Sequence, residues 1–294
     1  MPLSVPAMTR QIDRFSDIAA SYDAVYCDLW GCLHDGVRAF PAAVAALRAF
    51  RGTGGRVVLL TNSPRTTRGL LGQLEALQVP RDCWDCIASS GDATRAALLT
   101  GTAGERVWHL GPDWDAGFFD DLPDSIRRVP LAEAQAILCT GLLEDRPHPE
   151  DHRSELTVAR GLGLPLLCAN PDLIVDRGSE RIYCAGAVAA LYTEMGGESR
   201  YFGKPHPPIY DLARRLLDEV APGIEAQRIL AIGDGIGTDI AGALGEDIDS
   251  LFVTGGLAAA ETGTGADTGP DPAQLNAYLH AHGTSPTFAI GRLR

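Results

Sequence analysis

The feature that most constrains how this chain folds is a repeated alternation between short apolar runs and longer segments with helical spacing. Residues 56–60 (RVVLL) form a continuous apolar run of strand length, which is typical of parallel strands buried on both faces. Residues 41–52 place Val44, Leu47 and Phe50 on one helical face. Strands that alternate with helices predict parallel β-α-β units with right-handed crossovers. The chain is therefore expected to adopt an α/β fold.

The alternation occurs in the outer parts of the chain and again, separately, in the middle. In the outer parts, further strands are predicted at 24–30, 228–232 and 250–254, and further helices at 66–78, 206–219, 238–245 and 272–282. In the middle, strands are predicted at 106–110, 136–140, 165–169 and 181–184, and helices at 150–161 and 186–195. This pattern predicts a discontinuous first domain, residues 1–90 and 195–294, into which a second α/β domain, residues 91–194, is inserted.

The composition argues against partners that carry extended negative charge. The formal net charge is −13 and no run of lysines or arginines occurs, so neither nucleic acid nor an anionic membrane is an expected partner. No apolar run approaches the ~18 residues of a membrane span, and the N-terminus lacks the pattern of a signal peptide. We therefore predict a cytoplasmic protein with reduced thiols. The CxxC spacing of Cys83 and Cys86 allows a redox or zinc role, but without a second pair or a nearby histidine it favours a structural one.

Polar residues lie at or near the points where three of the predicted strands end. Asp28 lies near the end of one predicted strand, Thr61 and Asn62 follow the next, and Asp234 follows a strand near the C-terminus. Ligands of parallel sheets bind beyond the carboxyl ends of the strands, so we expect these residues to converge at one edge. Two carboxylates with backbone carbonyls suit Mg²⁺, and Thr61 with its neighbouring amides suits a phosphate group.

Four short motifs occur in a fixed order along nearly the whole chain. Asp28 lies in the first, Thr61 in the second, Lys204 in the third, and Asp234 with Asp239 in the fourth. In this order they resemble the motifs of the haloacid-dehalogenase (HAD) superfamily of phosphohydrolases. The resemblance implies a Rossmann-like HAD core with a parallel sheet.

The long insert between the second and third motifs indicates a subclass within that superfamily. It contains CANPD at 168–172 and is followed by GKPHPPIY at 203–210. Both are similar to subclass IIA, whose inserted α/β domain is a type-IIA cap that selects the substrate. That subclass includes enzymes like 4-nitrophenyl phosphatase, sugar phosphatases and pyridoxal-phosphate phosphatase, and its members imply a homodimer through the cap.

The resemblance also implies a role for each matching residue. Asp28 would be the nucleophile that forms an aspartyl phosphate, with Thr61 and Lys204 as further catalytic residues. The Mg²⁺ ion would be held by Asp28, the main-chain oxygen of Trp30 and Asp234, with Asp239 outside the direct ligands. The phosphoryl group and the substrate would contact Thr61, Asn62, Ser63, Lys204 and Asn170.

Trp30 departs from the family's pattern. The family normally has a second aspartate there, which protonates the leaving oxygen and then activates water, and an indole can do neither. The indole would instead stack on a flat substrate or pack against the cap. His34, Asp35 and His206 are candidate replacements for the missing acid, and Trp30 and His34 are also candidate substrate contacts.

These observations favour a Mg²⁺-dependent phosphohydrolase that acts on a small phosphorylated metabolite, such as a sugar phosphate, a nucleotide or pyridoxal phosphate. General acid–base catalysis is worth typically ~10²–10⁴-fold, so its loss favours substrates with good leaving groups. Two alternatives stay open. One is a phosphate-ligand binder or sensor with little turnover, and the other is phosphoryl transfer to an acceptor other than water.

Overall fold

The computed structural model describes residues 9–177 and 180–294, and the chain divides into two compact units. Within the described residues, the first unit comprises the chain up to residue 60 together with 74–87 and 213–294. The second unit comprises 61–73 and 88–212. The predicted insert, 91–194, falls wholly within the second unit, which extends beyond it on both sides.

The described part of the chain has fourteen strands, and eight of them overlap the predicted runs. In chain order they are β1 (Arg10–Gln11), β2 (Ala24–Cys27), β3 (Arg56–Thr61), β4 (Cys86–Ser89), β5 (Arg106–Leu110), β6 (Arg127–Arg128), β7 (Ala136–Cys139), β8 (Leu166–Cys168), β9 (Ile174–Arg177), β10 (Glu180–Tyr183), β11 (Ser199–Tyr201), β12 (Ile229–Gly233), β13 (Asp249–Val253) and β14 (Phe288–Ile290).

Several helices begin at residues that suit a helix N-terminus. In chain order they are α1 (Pro41–Gly52), α2 (Thr67–Ala76), α3 (Ser90–Leu99), α4 (Arg153–Gly161), α5 (Ala185–Glu194), α6 (Pro207–Val220), α7 (Ala241–Gly245) and α8 (Pro272–Ala281). Proline, which lacks the N–H that a first turn leaves unpaired, opens α1, α6 and α8. The Ser89 hydroxyl caps α3 by accepting a hydrogen bond from the Asp92 N–H at 3.0 Å.

The sheet of the first unit has the strand order β1-β14-β13-β12-β2-β3-β4. The central strand β2 is parallel to β12, where Cys27 pairs with Ile232, and it is also parallel to β3. Both β2 and β12 are buried at every residue, as expected of parallel strands covered on both faces. Because β2 ends at Cys27 and β12 ends at Gly233, Asp28 and Asp234 leave the sheet at the same edge.

The second unit contains its own parallel sheet, with the strand order β11-β8-β7-β5-β6. Its core is apolar and includes Leu110, Ile137, Leu156, Leu166, Val188 and Tyr192. The strands β9 and β10 form a separate antiparallel hairpin. The predicted α/β class is therefore confirmed in both units.

The sequence analysis did not predict the elements β1, β4, β6, β9, β11, β14 and α3. Among the predicted elements, local geometry differs in three places. The predicted strand at 24–30 stops at Cys27 because the N–H groups of Leu33 and His34 both bond to the Leu29 carbonyl, which closes a loop. The predicted helix at 238–245 begins with a π-helical turn, Ile236–Ile240. The strand predicted at 181–184 belongs to the hairpin rather than to the parallel sheet.

No helix in the described part of the chain is long and apolar enough to cross a membrane. The N-terminal segment that lacks a signal-peptide pattern starts with residues 1–8, which lie outside the described residues. All seven cysteines are thiols rather than disulfides. Burial raises the pKa of Cys83 to about 11 and that of Cys86 to about 12. Both thiols of the CxxC pair stay protonated near neutral pH, which favours a structural role.

Candidate functional site

Two buried carboxylates meet at the edge of the first unit's sheet. Asp28 and Asp234 are 7% and 6% exposed, and with the Cys32 thiol their ligand atoms lie within 4.8 Å of one another. The N–H of Asp28 donates to the Ile232 carbonyl at 2.8 Å, so the pairing of β2 with β12 fixes where Asp28 begins. The sequence prediction that Asp28 and Asp234 converge is matched by this geometry.

Two glycines make room for the Asp234 carboxylate. A Cβ atom on Gly31 would lie 2.2 Å from Asp234 Oδ2, and one on Gly256 would lie 1.9 Å from the same oxygen. Gly31 also has a φ of +77°, a conformation that favours glycine. The Leu257 N–H donates to Asp234 Oδ2 at 3.0 Å. The Asp234 carboxylate thus fits between two stretches of main chain, at Gly31 and Gly256, where any residue with a Cβ atom would collide with it.

Cys32 lies beside these carboxylates and was not predicted as part of the site. Its burial, together with the charges of Asp234 and Asp28, raises the pKa of the thiol well above its usual value. A protonated thiol is a poor ligand for a hard cation, which prefers oxygen. The donor set that suits a divalent cation therefore consists of the two carboxylates. The clue available in the sequence was that Cys32 lies only four residues after Asp28.

Asp239 stabilises the turn that carries Asp234. Its Oδ2 accepts hydrogen bonds from the Gly235 N–H at 3.1 Å and from the Thr238 hydroxyl at 3.4 Å. A Cβ on Gly233 would lie 2.0 Å from the Asp239 side chain, so this contact also depends on a glycine. Asp239 therefore supports the turn, and its position outside the direct metal ligands stays a prediction.

The indole of Trp30 packs on the loop that follows Asp28. A Cβ on Gly36 would lie 2.5 Å from two carbons of the Trp30 ring, so the ring rests against the Gly36 main chain. The indole also meets the His34 ring edge-to-face, with centroids 5.4 Å apart. The Gly31 N–H donates to the His34 carbonyl at 2.9 Å and closes the same loop. Trp30 therefore acts as a packing residue for this loop.

The candidate replacements for the missing acid differ in their surroundings. Burial lowers the pKa of His34 to about 4, and its Nδ1 accepts a hydrogen bond from the Gly36 N–H at 3.1 Å. The neutral ring thus carries its proton on Nε2, which has no hydrogen-bond partner in the described part of the chain. Near pH 7 His34 can donate a hydrogen bond, but it is not an imidazolium acid.

Asp35 and His206 are still less suited to protonate a leaving group. Burial alone would raise the pKa of Asp35, but hydrogen bonds from the Arg38 and Val37 N–H groups and the Arg38 charge outweigh it and lower the pKa. In the second unit, His206 stacks on Tyr201 with centroids 4.8 Å apart, and burial lowers its pKa. A general acid needs the opposite shift, toward protonation at neutral pH.

In the second unit, Asn62 clamps the main chain at Lys204. Its Oδ1 accepts a hydrogen bond from the Lys204 N–H at 2.7 Å, and its Nδ2 donates to the Lys204 carbonyl at 3.1 Å and to Asp172 Oδ1 at 2.8 Å. A Cβ on Gly203 would lie 2.5 Å from Asn62 Oδ1. The second and third predicted motifs therefore meet through a buried side-chain amide, and any contact of Asn62 with phosphate falls to its main chain.

The remaining candidates of this unit also form local turns. Thr61 is the last residue of β3, and its Oγ1 accepts a hydrogen bond from the Ser63 N–H at 3.2 Å. Asn170 Oδ1 accepts a hydrogen bond from the Asp172 N–H at 3.1 Å. Sequence reasoning missed Ser90, a fully buried residue whose hydroxyl has no hydrogen-bond partner among the described groups. Its position directly after β4 was the available signal.

Family models match two separate segments of the chain. A model described as haloacid dehalogenase-like hydrolase matches residues 25–122, and a HAD-hydrolase-like model matches residues 201–278. The first match includes Asp28 and Thr61, and the second includes Lys204, Asp234 and Asp239. All four predicted motifs therefore fall within the matched regions.

Known proteins agree with this assignment. The chain is 31% identical over 96 residues to a dihydroxyacetone phosphatase from Corynebacterium glutamicum (strain R), a stretch that covers 32% of this chain and only 33% of that relative. A structure titled possible sugar phosphatase of the HAD superfamily, from Cytophaga hutchinsonii, is 20% identical, with a TM-score of 0.76 over 96% of this chain and 98% of the other. At that identity the likeness concerns the fold.

A third comparison spans both chains. A haloacid dehalogenase-like hydrolase from Brucella suis 1330 has a TM-score of 0.84 and 36% identity, with 96% of this chain and 100% of that chain covered. Identity at this level over the full length, together with the matched motifs, confirms the resemblance seen in the sequence. The chain belongs to the haloacid dehalogenase-like family of hydrolases.

Proposed function

We propose that this protein is a Mg²⁺-dependent phosphohydrolase that removes phosphate from a small phosphorylated metabolite through an aspartyl phosphate on Asp28. The observation that carries the proposal is the pair of buried carboxylates, Asp28 and Asp234, whose ligand atoms approach within 4.8 Å. Two negative charges this close and this buried repel each other unless a cation lies between them. A divalent cation is the natural partner of such a pair.

The residues present fit Mg²⁺. The donor set consists of carboxylate oxygens, the type of ligand that Mg²⁺ prefers, and we assign the main-chain oxygen of Trp30 as a third ligand. When bound, the ion would offset negative charge on the transferring phosphoryl group. Asp239 would hold the turn of Asp234 through its bond to the Gly235 N–H.

The proposed reaction has two steps. An oxygen of Asp28 attacks phosphorus, the bond from phosphorus to the substrate oxygen breaks, and the substrate oxygen leaves as an alkoxide that takes a proton from solvent. Water then attacks the aspartyl phosphate and regenerates the carboxylate with release of inorganic phosphate. We assign Thr61, Asn62, Ser63 and Lys204 to the phosphoryl oxygens because their motifs follow in the family's order.

The substrate class that we favour is a sugar or polyol phosphate. Two of the similar proteins carry the names dihydroxyacetone phosphatase and possible sugar phosphatase. Those names describe those proteins, and the first likeness covers only a third of each chain. They nevertheless favour a small hydroxylated leaving group over a nucleotide or pyridoxal phosphate.

Trp30 favours a second candidate function, a phosphate-ligand binder or sensor with little turnover. Its indole packs on Gly36 and supplies no acid, and none of His34, Asp35 and His206 has a raised pKa. The same deficit would slow attack by water on the aspartyl phosphate, which is the reason to consider transfer to another acceptor. We rank both below hydrolysis because the carboxylate pair remains.

The decisive experiment is a panel of phosphate monoesters tested with Mg²⁺ and with EDTA, on wild type, Asp28→Asn and Asp247→Asn. We expect Mg²⁺-dependent phosphate release that Asp28→Asn reduces by at least on the order of 10⁴-fold, the scale of losing a nucleophile. Asp247 is exposed with a φ of 55°, which asparagine tolerates, so Asp247→Asn is the matched control. Turnover that survives in Asp28→Asn would exclude Asp28 as the nucleophile.

Two further properties expected from the sequence also stay proposals. A homodimer through the cap would appear as twice the chain mass, which is 31.2 kDa, in light scattering of the purified protein. A cytoplasmic location agrees with seven thiols in the reduced state, and fractionation of source cells would test it.

A further inference from the structure

A concave region lies wholly within the second unit and is formed by residues 64–69 and 114–120. It has a volume of about 310 Å³ and is lined by Pro64, Arg65, Arg68, Trp114, Asp115 and Asp120, among others. A cleft of this size, with a few polar groups beside an aromatic side chain, is typical of small-molecule sites. We refer to it as the Trp114 cleft.

One wall of the Trp114 cleft carries a buried carboxylate that neighbouring polar groups hold in place. Asp115 is 7% exposed, and burial raises its pKa to about 6 although the Thr140 hydroxyl donates a hydrogen bond to it. His109 Nε2 lies 2.9 Å from the same hydroxyl. A Cβ on Gly111 would lie 2.0 Å from Thr140 Oγ1, so a glycine is needed for this chain of contacts.

Trp114 gives the cleft an apolar surface beside the Asp115 carboxylate. This large residue is 57% exposed. An indole face offers a flat surface for carbon–hydrogen groups, and an ionised carboxylate offers only hydrogen-bond acceptors. A ligand that satisfies both has hydroxyl groups on a short carbon skeleton. Sugars and polyols have this combination.

The charges in the Trp114 cleft argue against a second phosphate on the ligand. The lining contains two arginines and two aspartates, so it is electrically balanced. The Arg68 guanidinium lies 3.1 Å from Asp121, and that of Arg65 lies 3.2 Å from the Gln73 side-chain oxygen. The part of the ligand that enters the cleft is therefore expected to be uncharged.

The chain itself limits how far the cleft lies from the phosphate-binding motif of the same unit. Pro64 lines the cleft and is three residues after Thr61, a distance that a fully extended chain spans in at most roughly 11 Å. A phosphoryl group at Thr61 thus leaves the cleft within reach of a small leaving group. This step rests on the proposed function.

We propose that the Trp114 cleft binds the hydroxylated end of a sugar or polyol phosphate, with Asp115 accepting hydrogen bonds from its hydroxyls and Trp114 covering its carbon skeleton. The test compares kcat/KM for glycerol 3-phosphate and for 4-nitrophenyl phosphate, whose leaving group lacks aliphatic hydroxyls. Asp115→Asn and Trp114→Ala should each lose at least about tenfold more on glycerol 3-phosphate, as when a hydrogen-bonding pocket loses its partner. The loss should lie mainly in KM.

Asp113→Asn is the matched control, because Asp113 is exposed on the same segment and does not line the cleft. Equal losses on both substrates would mean that the two residues only support the fold, and would overturn the inference. A wild-type preference for nucleotides that Trp114→Ala removes would also overturn it, because the indole would then stack on a base. Trp114→Ala keeps the test open if Asp115→Asn fails to fold.

Failure of the proposed function is distinguishable from failure of this inference. If wild type releases phosphate from no ester, the proposed function is wrong, and calorimetric titration with glycerol 3-phosphate decides the inference. Binding that weakens about tenfold in Trp114→Ala, equal to about 1.4 kcal/mol, supports the cleft. No binding to wild type overturns it.

Discussion

Buried carboxylates in the two units differ in how they are held. Asp234 lies close to the carboxylate of Asp28, and main-chain atoms of Gly31 and Gly256 surround it so tightly that no side chain fits there. Asp115 instead receives a hydrogen bond from the neutral Thr140 hydroxyl and faces a cleft. The first arrangement concentrates negative charge, and in the proposed function a divalent cation offsets it. The second keeps one weakly acidic carboxylate that suits neutral hydroxyl donors.

The position of each carboxylate in its unit adds to this contrast. Asp28 and Asp234 directly follow β2 and β12, so the sheet register determines where they lie. Asp115 lies in a short helical turn, Asp113–Phe119, that connects strands and can change without disturbing a sheet. On the two proposals above, the reacting groups lie at strand ends and the ligand-selecting groups lie on a connecting segment.

The largest effect is expected from Gly31→Ala, which breaks the carboxylate pair. The new Cβ would lie 2.2 Å from Asp234 Oδ2, so Asp234 must move. If the pair binds Mg²⁺ as proposed, Mg²⁺ should raise the melting temperature of wild type but not that of Gly31→Ala. Gly54→Ala is the control, because Gly54 also has a positive φ, +98°, but nothing lies within 4 Å of its Cβ position.

Gly54→Ala should show only the cost of a left-handed conformation, about 1–2 kcal/mol, and keep its response to Mg²⁺. A Gly31→Ala protein that still gains the full Mg²⁺ stabilisation would contradict the cation site.

The next largest effect is expected from Asn62→Ala, which tests the hydrogen bonds between Asn62 and the main chain at Lys204. It removes three hydrogen bonds and leaves the buried N–H and C=O of Lys204 without the Asn62 amide. Each such loss costs about 1–3 kcal/mol, so we expect about 3 kcal/mol less stability in urea unfolding. Asn276 is exposed, so the control Asn276→Ala should change the free energy of unfolding by less than about 0.5 kcal/mol. Similar changes in both variants would show that the Asn62 hydrogen bonds do not stabilise the unit.

Trp30→Asp tests whether an acid at position 30 can protonate the leaving group. Compared with Trp30→Asn, which also lacks the indole but cannot donate a proton, it should hydrolyse glycerol 3-phosphate on the order of 10²-fold faster, the low end of general acid–base catalysis. The gap should be much smaller with 4-nitrophenyl phosphate, whose leaving group needs no proton. Equal rates of the two variants on both substrates would show that position 30 takes no part in proton transfer.

The smallest effect concerns the pH dependence of stability from Asp115. Burial raises its pKa from 3.8 to about 6, so the folded protein binds more protons than the unfolded chain between these values. Stability from this group is therefore fully present at pH values below the unfolded pKa and is lost as the pH rises through the folded pKa. The free energy of unfolding of wild type, relative to Asp115→Asn, should fall by about 1 kcal/mol from about pH 5 to about pH 7. A difference that stays constant with pH would exclude the shift.

Much of the fold was predictable because hydrophobic periodicity carries it. The run RVVLL became β3, and the runs around 229 and 250 became β12 and β13 with shifts of one residue. The terminal strands β1 and β14 were missed because a strand of two or three residues leaves no period to detect. The hairpin of β9 and β10 was also missed, since a pattern of single strands does not specify their partners.

The sequence alone determined the order of the four motifs, and with it the family, the identity of Asp28 and Asp234 as candidate site residues, and the anomaly at Trp30. These depend only on which residue types follow which strands. The tertiary structure decided that Gly31 and Gly256 surround one carboxylate and that Asn62 clamps the main chain at Lys204. Such contacts join residues that lie far apart along the chain, and only the packing of the folded chain in three dimensions brings them within bonding distance.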